Sequence, residues 1–126
     1  NFYEFEDYLV CGTRGWLCPG DTRYTDHDKK IYLREVGRLK LSLESAVNSG
    51  KYNDNIILMM HFPPTNDKHD KSEFIELIEK YNIKRVIYGH LHGKKKYDNS
   101  LIGNENNVEY SLVSADYLGF KPIKIL

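Results

Sequence analysis

Five apolar residues in a row, Ile56-Ile57-Leu58-Met59-Met60, stand out from a polar neighbourhood. A continuous apolar run of this length predicts a strand covered on both faces. His61-Phe62-Pro63-Pro64 ends it abruptly. Phe74, Leu77, Ile78 and Tyr81 then recur at helical spacing, behind the cap candidates Asp70 and Ser72. Arg85-Val86-Ile87-Tyr88 predicts the next strand. Strand, helix and strand joined by short links make a βαβ unit, with parallel strands and a right-handed crossover. Upstream, residues 2–11 are dense in Tyr, Phe, Leu and Val and predict one or two strands. Turn-forming Cys18-Pro19-Gly20-Asp21 comes next. Thr25 and Asp28 have the spacing of a capping box, and Tyr32, Val36, Leu39, Leu43 and Val47 line one helix face that ends at Gly50. Residues 108–114 and 121–126 are further predicted strands, with a polar loop over 98–107. The chain has no internal repeat.

Composition narrows the picture. The 126 residues, 40% of them hydrophobic, suffice for one domain with one core. Eighteen basic and eighteen acidic residues balance, so the basic footprint of a nucleic-acid binder is absent. Lys94-Lys95-Lys96, the one dense cationic spot, reads as a solvated loop. The two cysteines, Cys11 and Cys18, are too few for a disulfide framework, and a reducing cytoplasm is the expected location. No apolar run approaches the ~20 residues of a membrane span. The chain opens on Asn1, directly in strand-like sequence, which leads us to expect a piece cut from a larger protein.

The segment VIYGHLHG carries the candidate chemistry. Parallel strands bring their C-terminal ends to one edge of a sheet, where ligands of open α/β sheets bind. His61 is the first residue past one strand and His90 the second past the other. On neighbouring strands ~4.8 Å apart, two such imidazoles can reach one metal ion. In an extended segment His90 and His92 share a face, two rises of roughly 3.3 Å apart, a spacing better suited to two ions than one. The flanking glycines are expected to supply the sharp backbone, and Pro63-Pro64 to stiffen the exit from His61. His27, in a cap region, and His69, in a charged loop, read as incidental.

The chain resembles the C-terminal half of calcineurin-like metallophosphoesterases. LMMHFPPTND is similar to their histidine-bearing strand end, and YGHLHG to their Gly-His-x-His signature. GTRGW and VSADYLGFKP are similar to a bacterial branch of predicted phosphohydrolases. The resemblance implies an α/β fold, part of a four-layer α-β-β-α sandwich, whose βαβ unit carries metal ligands at the C-terminal strand ends. It implies two divalent transition-metal ions (manganese, iron, zinc or nickel), with His61 and His90 on one and His92 on the other. A metal-bound hydroxide would attack the phosphorus of a phosphate ester clamped between them.

Three motifs of the family's N-terminal half have only imperfect echoes. Asp67-Lys68-His69 spells Asp-x-His but follows no apolar run. Gly20-Asp21-Thr22-Arg23-Tyr24 lacks a second Asp. Gly103-Asn104-Glu105-Asn106 lacks a His and comes too late. The catalytic histidine and bridging carboxylates are thus expected outside residues 1–126, which would form the C-terminal portion of a single domain. That portion would be inactive alone and would pair with its N-terminal half or with a second copy. Arg14 is a candidate for phosphate binding and equally for a structural hydrogen bond at a turn. The alternatives are a non-catalytic three-histidine metal-binding domain and an interaction module whose histidines are incidental.

Overall fold

The computed structural model describes residues 1–52 and 54–126. Two short antiparallel strands, β1 (Tyr3–Phe5) and β2 (Tyr8–Thr13), lead to helix α1 (Asp26–Asn48). Strand β3 (Ile56–Met60), helix α2 (Glu73–Lys80) and strand β4 (Arg85–Tyr88) follow. A short helix α3 (Lys94–Asp98) precedes the hairpin of β5 (Gly103–Glu105) and β6 (Val108–Leu112). The six strands form one mixed sheet in the order β1-β2-β3-β4-β6-β5. Its four central strands, β2, β3, β4 and β6, are parallel. The expected βαβ unit is present, with β3 and β4 as direct neighbours.

Alternation along the strands separates the two faces. Leu9, Cys11, Leu58, Val86, Tyr88 and Tyr110 belong to the core with Leu39 and Leu43 of α1 and with Phe74 and Ile78 of α2. The two helices meet at Tyr32 and Phe74, whose ring centroids are 5.2 Å apart. Tyr32 also accepts the backbone N–H of Glu73 at 2.8 Å, which joins α1 to the first turn of α2. Both helix starts follow the sequence signals. Thr25 donates its backbone N–H to Asp28, and the Ser72 hydroxyl accepts from Ile75 N–H.

The other face is less covered. Met59 and Phe5 are about half exposed and Tyr3 more so, whereas Ile57 and Ile87 on the same face are buried, so β3 is covered on both sides except at Met59. Helices on one sheet supply two layers of the implied sandwich, and the described residues contain no second sheet. Three local expectations also change. Residues 121–126 are not a strand, although the Arg85 guanidinium donates to the Ile125 carbonyl. The polar loop over 98–107 contains β5, closed onto β6 by Asn106 and Asn107 at φ 49° and 65°, the two left-handed positions of a type I′ hairpin. The three lysines begin α3, where Lys94 pairs with Asp98 one turn on.

Gly12 is required by close approach. A Cβ there would lie 2.6 Å from the Met59 carbonyl oxygen on the adjacent strand. Cys11 and Cys18 are free, buried thiols. Burial raises the pKa of Cys11 and pushes that of Cys18 up to about 12.

Candidate metal centre at the strand ends

Beyond the strands proper, the parallel ladder continues for one more bond at each junction. Phe62 N–H donates to the Arg14 carbonyl, Gly89 N–H to that of His61, and Val113 N–H to that of Tyr88. These bonds align the residues leaving β2, β3, β4 and β6 along one edge. His61 and His90 meet there, with His90 Nδ1 and His61 Nε2 3.2 Å apart. Two nitrogens bound to one ion at about 2.0–2.1 Å with tetrahedral angles sit about 3.3 Å apart. The spacing therefore fits two ligands of a single ion, and His61 and His90 converge as the sequence predicts.

The route to that convergence differs from the expectation. Gly89 does not take the sharp conformation. His90 itself does, at φ 69°. Leu91 N–H donates to the Gly89 carbonyl at 2.8 Å, closing a three-residue turn centred on His90. A γ-turn with its central residue at positive φ is the rarer and more strained hand, and such backbone costs of order 1–3 kcal/mol. Packing opposes the strain. The Phe62 ring lies 4.1 Å from that of His90, and Trp16 lies 5.0 Å from Phe62. Burial first, then the neighbouring His61 and the cations Arg23 and Lys96, lower the His90 pKa to about 4. His90 is thus neutral near pH 7, the form a metal ligand requires.

The same turn breaks the extended geometry on which His90 and His92 would share a face. His92 turns instead to Asp116, with Nδ1 2.8 Å from Oδ1. The Tyr97 hydroxyl, and next the His92 ring, hold Asp116 down to about 2. A carboxylate on one imidazole nitrogen orients the other for ligation. Among the described residues, no group of three or more His, Cys, Asp or Glu is arranged to hold a metal ion. His61 and His90 therefore fit a metal as two members of an incomplete ligand set, with His92 outside it. His69 Nε2 pairs with the Asn99 carbonyl, which leaves the Asp67-Lys68-His69 echo out of the centre.

Arg14 binds Glu35 at 2.9 Å and lies over the Trp16 ring, 4.8 Å from its centroid. Glu35 is fully buried on the inner face of α1, and Arg38 and the Thr13 hydroxyl complete its shell. A buried carboxylate needs such partners, so of the two roles open to Arg14 the structure displays the structural one. Glu35 and Asp116 were missed in the sequence. Glu35 follows Tyr32 by three and precedes Leu39 by four, the spacing of the apolar stripe itself. Asp116 lies just past the predicted strand over 108–114, at the same sheet edge as His92.

A pocket of about 300 Å³ opens beside His90. Its wall is the Trp16–Phe62–His90 row, its floor includes Tyr88 and Leu101, and Arg23, Lys95 and Lys96 also line it. Arg23 is partly neutralised by Asp21 at 3.4 Å. No described helix is long and apolar enough to cross a membrane.

Comparison with known proteins gives one family. The family model described as calcineurin-like phosphoesterase matches residues 1–94, which include both histidines of the signature and the strand end at His61. No curated protein matches significantly, and no solved structure does.

Proposed function

From the premise that the chain belongs to the calcineurin-like phosphoesterase family, whose members use divalent metals to hydrolyse phosphate esters, we propose a specific division of labour at the strand ends. His61 and His90 hold one divalent ion. His92, oriented by Asp116, serves a second. When bound, such ions act as Lewis acids, lower the pKa of water and clamp both ends of an in-line displacement at phosphorus. The protein's own part is positional. The aromatic row fixes the His90 ring, the γ-turn aims it at His61, and the low pKa of His90 keeps the ring neutral.

Residues 1–126 act in this reading as the C-terminal portion of the catalytic domain. One observation supports it: among the described residues no carboxylate completes a ligand group with His61 and His90, and imidazoles alone do not offset the charge of two divalent cations. The 3.2 Å approach of His61 and His90 carries the proposal. A single ion bound by all three histidines has less support, because His92 is engaged by Asp116.

The test is calorimetric titration with Mn²⁺ and Zn²⁺ of a protein extended upstream of Asn1 to include the N-terminal half, and of its His61→Ala, His90→Ala and doubly substituted forms. Each single change is expected to weaken one ion at least tenfold, with little further loss in the double mutant. Additive losses, or none, would overturn the shared site.

A further inference from the structure

The pocket beside His90 has a chemical character that the metal centre does not require. One wall is a row of aromatic rings, with Trp16 and Phe62 at 5.0 Å and Phe62 and His90 at 4.1 Å. The buried side chains of Tyr88 and Leu101 lie beneath, tied by the Tyr88 hydroxyl donating to the Leu101 carbonyl at 2.6 Å. Lys95 and Lys96 of α3 line the same space, as do two carboxylates, Asp21, which pairs with Arg23, and Asp67, which accepts from the Thr22 hydroxyl. Phosphate binding needs cations and N–H donors, not an apolar floor. An apolar, ring-walled cleft of about 300 Å³ suits a small flat ring stacked on aromatic faces. The cations suit an anionic group on the same molecule.

We propose that this pocket selects phosphate esters of aromatic alcohols. The ring of the leaving group packs beside Trp16 and Phe62, and the phosphate sits at the His90 end, near Lys96. The inference rests on the phosphoesterase reading and adds the class of substrate. Packing and burial of one ring favour such an ester by about tenfold or more over an aliphatic ester of equal charge.

Trp16, the only tryptophan in the chain, gives a direct reading by fluorescence. The protein is titrated with phenyl phosphate and with glycerol 2-phosphate, with and without Mn²⁺, and the affinities are checked by calorimetry. Phenyl phosphate is expected to bind at least tenfold tighter and to quench Trp16. Ser100 also lines the pocket, so Ser100→Phe adds a ring there and is expected to erase that preference while glycerol 2-phosphate binds as before. Lys96→Ala is expected to weaken both esters alike. Equal binding of the two esters, no binding of either, or a preference that survives Ser100→Phe overturns the proposal. Manganese binding in the same samples keeps the two readings apart. Loss of ring preference with Mn²⁺ still bound at His61 and His90 refutes the pocket alone. A ring preference together with Mn²⁺ binding that His61→Ala and His90→Ala leave unchanged refutes the metal centre and leaves the pocket standing.

Discussion

His90 and His92 are separated by one residue, yet their surroundings have little in common. The His90 ring is pressed between Phe62 and His61 on a strained turn, and its charged form is disfavoured. The His92 side chain is 64% exposed and is held by one carboxylate. The first arrangement is fixed by packing, which is rigid but sensitive to the volume of its neighbours. The second is fixed by a hydrogen bond, which tolerates changes in volume and depends on a single partner. A metal site assembled from both should therefore fail in two distinct ways.

Phe62→Ala should do the most damage. It removes the ring that touches Trp16 and both histidines of the first pair, and a loss of about 2 kcal/mol is expected in denaturant unfolding, on the low side for Phe→Ala because Phe62 is only partly buried. The His92–Asp116 contact should be unchanged by imidazole NMR. A matching shift at His92 would show that the two arrangements are not independent.

A smaller effect separates strain from packing. His90→Gly and His90→Ala both delete the ring, but only glycine occupies φ 69° at no steric cost. The glycine variant should be the more stable by about 1 kcal/mol. Equal stability of the two would mean that the turn relaxes freely when the ring is lost.

The smallest expected effect is a pH dependence. Asp28 accepts the Trp16 indole N–H at 3.0 Å, and this bond, followed by those from Thr25, lowers its pKa below the ordinary 3.8. A carboxylate with a depressed folded value contributes stability above its unfolded pKa and loses it as pH falls through the folded value. Trp16 fluorescence should accordingly shift below pH 3.8, beneath the pH near 4 at which His90 itself becomes charged. Asp28→Asn should remove that transition. A transition unaltered in Asp28→Asn would assign it to another group.

Most of the fold was legible because it is written in periodicity. The apolar run over Ile56–Met60 and the stripe from Tyr32 to Val47 are signals that local sequence carries by itself. The meeting of His61 and His90 followed from parallel strands sharing an edge. What stayed hidden depends on contacts between distant segments. Glu35 is buried because Arg14, Arg38 and Thr13 arrive from two elements to receive it. The turn at His90 is held against strain by Phe62, which belongs to another strand's exit. The apolar residues over 121–126 looked like a strand because hydrophobicity alone cannot supply a pairing partner. The lysines of α3 show the converse: a charged run can still coil, here with one i,i+4 pair, Lys94–Asp98, to support it.

The two buried thiols turn these structural differences into something that can be timed. Cys11 lies in the sheet beneath α1, and Cys18 in the loop that follows Trp16. Neither sulfur can meet an alkylating reagent until its surroundings part, and Cys18 gains little thiolate while they stay closed. Both thiols belong to the core, and their labelling half-lives act as two clocks on it, one in the sheet and one where the loop after Trp16 enters it. A ligand that settles against Trp16 should slow the second clock and leave the first running at its old rate.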